Sequence, residues 1–240
     1  MKIKLTNAPL RVNAFTLIEI ITVIAVIAII AALLMPAFNI VEQHSIIQHA
    51  QGERDQLETA IGRYYAKYGF YPPGNAAVTA QNLSPALTNQ LYYELVGTTN
   101  INTPASPTFL TLDDRCTNTG TSAQQFFGVS GFMNCSRGNS EDAVPAQTFL
   151  PALKANQLAV VTAASGSIIV LSTSANGDQT YQPLPGVTTL AGYTANPWRY
   201  VYPGINNPKS YDLWLQIKVG GKTNLICNWK DQPTYNSALP

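Results

Sequence analysis

Residues Ala14–Phe38 read AFTLIEIITVIAVIAIIAALLMPAF, and this apolar run is the strongest structural signal in the chain. Between Phe15 and Phe38 it holds 24 residues with a single charged side chain, Glu19. At about 1.5 Å per residue, a helix of this length extends about 36 Å, which is enough to cross the hydrocarbon core of a bilayer. Because no side of such a helix is polar, the sequence predicts a helix buried in lipid or inside an assembly.

The residues before this stretch indicate what kind of membrane segment it is. Residues 1–14 carry three basic side chains and no acidic one, which predicts a cytoplasmic N-terminus and an exported remainder. The apolar run is longer than that of a secretory signal peptide, and no cleavage site of the A-x-A type follows it. The small residue Ala14 instead precedes it.

A basic leader, a small residue and then FTLIE at the start of a long apolar helix resemble the class III signal of type IV pilins and type II secretion pseudopilins. The resemblance implies that a prepilin peptidase cuts between Ala14 and Phe15 on the cytoplasmic side and that Phe15 becomes N-methylated. It also implies that Glu19 is the assembly glutamate and that Pro36 matches a proline common in this helix. The chain departs from the family at Ala14, where glycine is usual.

The chemistry of Glu19 agrees with this resemblance. Cleavage would create a cationic amine at Phe15, and a carboxylate in low dielectric is costly unless it is paired. A stacked subunit at the right register could supply the pairing, so the charge would set the register of a filament. The alternative is an interfacial glutamate at the end of a plain membrane anchor.

The long helix is predicted to leave the membrane and continue to Tyr68. Leu57, Ile61, Tyr64 and Tyr68 recur at helical spacing and form a core-facing stripe, and Gly69 with the following prolines is a stop signal. Glu53 and the other charged residues of this segment are predicted to lie largely off the stripe. His44 and His49 are predicted to be solvated, because their spacing of five does not place them on one helical face.

The C-terminal part of the chain is predicted to form three antiparallel strands joined by turns, at Trp198–Tyr202, Tyr211–Val219 and Leu225–Trp229. A second resemblance, to the major, G-type pseudopilins, rests on four short motifs: YYAKYGFYPPGN near the helix end, and N-P-W, Y-D-L-W and N-W in the C-terminal part. That family holds a structural calcium after Y-D-L-W. Here Val219 stands where an aspartate is expected, so we predict no cofactor, with calcium a minor alternative and Asp212 a solvated or capping residue.

The region between helix and sheet is predicted to be rich in loops. Gln90–Val96 is predicted as a short helix or strand, and further strands are predicted at 109–112, 157–163 and 167–172, with a turn at Asn176-Gly177. Three cysteines lie in the exported part, where disulfides can persist, and Cys116 and Cys135 are the expected pair, with Cys227 left over in a strand.

The predicted fold class is α+β. The pilin-like resemblance implies a long N-terminal helix, its first half transmembrane, packed on a small C-terminal antiparallel sheet. The predicted divisions are a leader at 1–14 that is removed, a transmembrane and assembly helix at 15–38, the periplasmic half of the helix at 39–74, a variable αβ-loop region at 75–195 and the C-terminal sheet at 196–240.

Composition and motifs argue against catalysis and nucleic-acid binding. Charged residues make up 11% of the chain, its net charge is +1, and no basic run occurs. No hydrolase, metalloprotease or P-loop motif is present, and the acidic pairs Asp113-Asp114 and Glu141-Asp142 are predicted to lie in solvated turns. The sequence therefore predicts that the chain is not an enzyme.

The resemblance implies a structural subunit in the inner membrane, with its C-terminal domain in the periplasm. Its expected partners are the prepilin peptidase, other copies of the chain, other pseudopilins and an inner-membrane assembly platform. Together they would build a periplasmic filament of a type II secretion system for protein export. Two alternatives remain open: a type IV pilus subunit for adhesion, motility or DNA uptake, and a signal-anchored periplasmic binding or enzymatic domain.

Overall fold

A computed structural model describes residues 15–78, 84–136, 144–163, 166–175 and 187–235, except for the side chains of residues 35–37, 39, 84, 85 and 163. The chain is α+β, and it divides into two units, Met1–His44 and Ser45–Pro240. The predicted turn at Asn176-Gly177 and the acidic pair Glu141-Asp142 lie outside the described residues.

The first unit holds the start of the long helix α1 (Leu17–Tyr68). Every side chain from Phe15 to Leu34 is exposed, although most of them are Ile, Leu, Val or Ala. Within the described residues, one segment, Leu17–Leu34, is a helix long and apolar enough to cross a membrane. This confirms the predicted apolar helix near the N-terminus.

The second unit contains the last turns of α1, which end as the sequence predicts. Leu57, Ile61 and Tyr64 are buried, and Tyr68 packs against the same core. Gly69 has a φ of +79°, and its N–H donates to the carbonyl of Tyr65 at 2.8 Å. This left-handed conformation costs glycine little and ends the helix directly after Tyr68.

The C-terminal sheet contains the three predicted strands, which are β8 (Arg199–Val201), β9 (Asp212–Val219) and β10 (Lys222–Cys227), and a fourth, β11 (Thr234–Tyr235). Their order in the sheet is β11-β10-β9-β8. Its central hairpin pairs Lys222 with Val219 and Cys227 with Trp214, and the turn falls at Gly220-Gly221, where both residues have positive φ. Leu213, Leu215, Ile217 and Ile226 belong to the same core as the buried face of α1.

The region between helix and sheet is more regular than the sequence predicts, because it forms two further sheets and two short helices. The described strands of this region are β1 (Thr98–Asn100), β2 (Thr108–Thr111), β3 (Thr117–Thr119), β4 (Cys135–Ser136), β5 (Leu158–Ala163), β6 (Gly166–Leu171) and β7 (Thr188–Thr189). The first sheet has the order β3-β2-β1-β4 and is antiparallel except between β1 and β4, and the second has the order β6-β5-β7. The helices are α2 (Leu91–Val96), in which all six residues are buried, and α3 (Gly120–Phe127).

Candidate functional site

The start of α1 is shaped by a reciprocal pair of hydrogen bonds between Thr16 and Glu19. The backbone N–H and the hydroxyl of Thr16 each donate to Oε2 of Glu19 at 2.8 Å. The backbone N–H of Glu19 donates to the Thr16 hydroxyl oxygen at 3.3 Å, and the N–H of Ile20 donates to the Thr16 carbonyl. This is a capping box, in which the first residue before a helix and the third residue inside it satisfy each other's backbone donors.

The capping box gives Glu19 a local role that the sequence reasoning missed. The T-x-x-E spacing at Thr16–Glu19 is its sequence signal. The box uses Oε2 for both Thr16 donors, whereas Oε1 accepts no hydrogen bond from any described residue. The three ion pairs found in the described part of the chain do not involve Glu19. Among the described residues, the carboxylate is therefore held in place by neutral donors on one of its two oxygens.

The other residues expected at the processing and assembly site are described only in part. Phe15 is 81% exposed and precedes the capping residue directly. Ala14, on the other side of the expected cut, lies outside the described residues, and so do the leader residues 1–13. Pro36 lies within the span of α1, but its side chain is outside the described residues.

Comparisons of the chain with protein-family models, with curated proteins and with solved structures find no match.

The predicted disulfide between Cys116 and Cys135 is wrong in this structure, where all three cysteines are free. Cys116 adjoins Thr111 of β2, Thr111 pairs with Thr98 of β1, and Thr98 pairs with Cys135 of β4. Three strand spacings amount to roughly 14 Å, whereas a disulfide needs Cα atoms within about 7 Å. Cys227 is buried on β10, as predicted.

Glu94, in the middle of α2, is a fully buried carboxylate that the sequence reasoning did not single out. The backbone N–H of Met133 donates to its Oε1 at 2.8 Å, and the N–H of Asn134 and the hydroxyl of Tyr64 donate to Oε2 at 2.9 and 3.0 Å. Burial, together with the negative charge of Glu94, raises the pKa of Tyr64, which keeps this phenol protonated as a donor. Glu94 thus ties α1 to the segment before β4.

Glu53 on α1 is also buried, although the sequence predicted it to lie away from the core. Its carboxylate accepts hydrogen bonds from the hydroxyl of Thr173, from the hydroxyl and the backbone N–H of Ser174, and from the side-chain amide of Gln157. These donors come from the segment after β6 and from the short 3₁₀ turn Ala155–Gln157. The arrangement joins α1 to the second sheet.

Asp212, at the start of β9, organises the loop before it. The backbone N–H groups of Ile205 and Asn206 donate to its Oδ2 at 2.8 and 2.7 Å, and that of Asn207 donates to Oδ1 at 3.0 Å. A Cβ at Gly204 would lie 2.6 Å from the same carboxylate, so this position admits only glycine without a shift. Asp212 is therefore a buried capping residue rather than a solvated one, and its oxygens are already occupied by N–H donors.

The remaining polar candidates lie apart from these sites. His44 and His49 are exposed, and Asp113 accepts the hydroxyl of Tyr92 at 2.9 Å while Asp114 is exposed in the adjoining turn. Within the described ranges, no group of three or more His, Cys, Asp or Glu side chains is placed to hold a metal ion. The candidate functional site is therefore the exposed apolar segment of α1 with Glu19 near its start.

Proposed function

We propose that this chain is a pilin-like structural subunit, a pseudopilin, that assembles into a periplasmic filament of a type II secretion system. A prepilin peptidase removes residues 1–14 and leaves an N-methylated Phe15. The apolar helix then anchors the subunit in the inner membrane, with the C-terminal domain in the periplasm, until an assembly platform moves the subunit into the filament.

One observation carries the proposal: in the apolar segment Leu17–Leu34 of α1 no side chain is buried by the described residues, and Glu19 lies in the first turn of this segment. All described side chains from Phe15 to Leu34 are exposed, so they require lipid or other helices around them. The α+β architecture, with the buried stripe of α1 in the same core as the C-terminal sheet, supports the pilin-like interpretation.

The hydrogen bonding of Glu19 refines the assembly step. Thr16 occupies Oε2 and holds the side chain at the start of the helix, which leaves Oε1 to accept the cationic terminus of a neighbouring subunit. Breaking a buried ion pair by removing one partner costs about 3–5 kcal/mol, since the other charge is left uncompensated. Subunits stacked in the wrong register would incur a penalty of this size, so Glu19 selects one register.

Two variants separate the capping role of Glu19 from its charge. Glu19→Gln keeps the box, because glutamine also serves at this position, but removes the charge. Thr16→Val removes the box and keeps the charge, and Thr16→Ser is the matched control. We expect Glu19→Gln to abolish filaments while the mature protein still starts at Phe15, Thr16→Val to form fewer filaments and Thr16→Ser to behave as the natural chain.

Two sets of results would contradict the proposal. If Glu19→Gln assembles normally and Thr16→Val does not, the glutamate acts only as a helix cap. If mass spectrometry finds residues 1–14 retained, the chain is a signal-anchored domain, and if it finds a cut after Pro36, the apolar helix is removed as a signal peptide; either result ends the pilin proposal.

A further inference from the structure

We draw no further inference here: the strongest candidate, the groove between the loop 101–107 and residues 130–136, is lined by uncharged side chains that include the exposed Ile101 and Met133, but nothing in the structure shows what covers it.

Discussion

Replacing Glu94 provides a sharp test of how the C-terminal unit is held together. Glu94→Ala removes both carboxylate oxygens and leaves three donors without an acceptor: the buried N–H of Asn134, the buried hydroxyl of Tyr64 and the partly buried N–H of Met133. Each buried donor left unsatisfied costs about 1–3 kcal/mol, and partial relaxation lowers the sum. We therefore expect the free energy of unfolding to fall by about 3–5 kcal/mol.

Two matched variants give an order that a nonspecific effect would not reproduce. Tyr64→Phe removes one donor and leaves the carboxylate satisfied, so it should cost about 1 kcal/mol. Glu94→Gln keeps the shape but turns an amide NH₂ toward one of the donors, so its cost should lie between those of the other two.

Urea unfolding of the full chain in detergent, followed by tryptophan fluorescence, measures these differences because Trp198 and Trp214 are buried. A loss of 1 kcal/mol or less for Glu94→Ala would refute the reasoning, and so would a larger loss for Tyr64→Phe than for Glu94→Ala.

Two further predictions concern the thiols and the loop before β9. Burial raises the pKa of the Cys116 and Cys227 thiols, so at pH 8 a thiol reagent should modify the half-buried Cys135 first. Denatured, unreduced protein should react at all three thiols, whereas reaction at one thiol alone would show that a disulfide is present. Asp212→Asn should lower stability by about 2 kcal/mol, while a calcium chelator should leave the Tm of the natural chain unchanged, since N–H groups occupy the Asp212 oxygens; a chelator-induced drop in Tm would contradict this account.

The sequence predicts those parts of the fold that have a long periodic pattern or a strong punctuation signal. The apolar run, the stripe that ends at Tyr68 and the Gly69 stop all lie in one helix, where a repeat of 3.6 residues can be recognised. The β9–β10 hairpin was predictable because two short runs rich in strand-forming apolar residues flank the Gly220-Gly221 turn.

The middle region was harder because its strands are short. β1 and β3 have three residues each, and β4 and β7 have two, so none is long enough to show alternation. α3 was missed although it has both end signals: Thr119 accepts the N–H of Ser122 at its start, and Gly128 is left-handed at its end.

The polar residues described above were likewise only partly predictable from the sequence. Glu19 could be chosen from the sequence because it is the one charge in an apolar run. The buried positions of Glu53 and Glu94 depend on donors 30 or more residues away in the chain, such as Tyr64 and Ser174, which no local pattern reveals.

The most direct test of the central claim is the distance, in a filament assembled from this chain and imaged by electron cryomicroscopy, between the Glu19 carboxylate and the Phe15 nitrogen of a neighbouring subunit. We predict that one oxygen lies within about 4 Å of that nitrogen, the range of an ion pair, while Thr16 holds the other. A filament in which Glu19 contacts only its own Thr16, or in which residues 1–14 are still attached, would contradict the account.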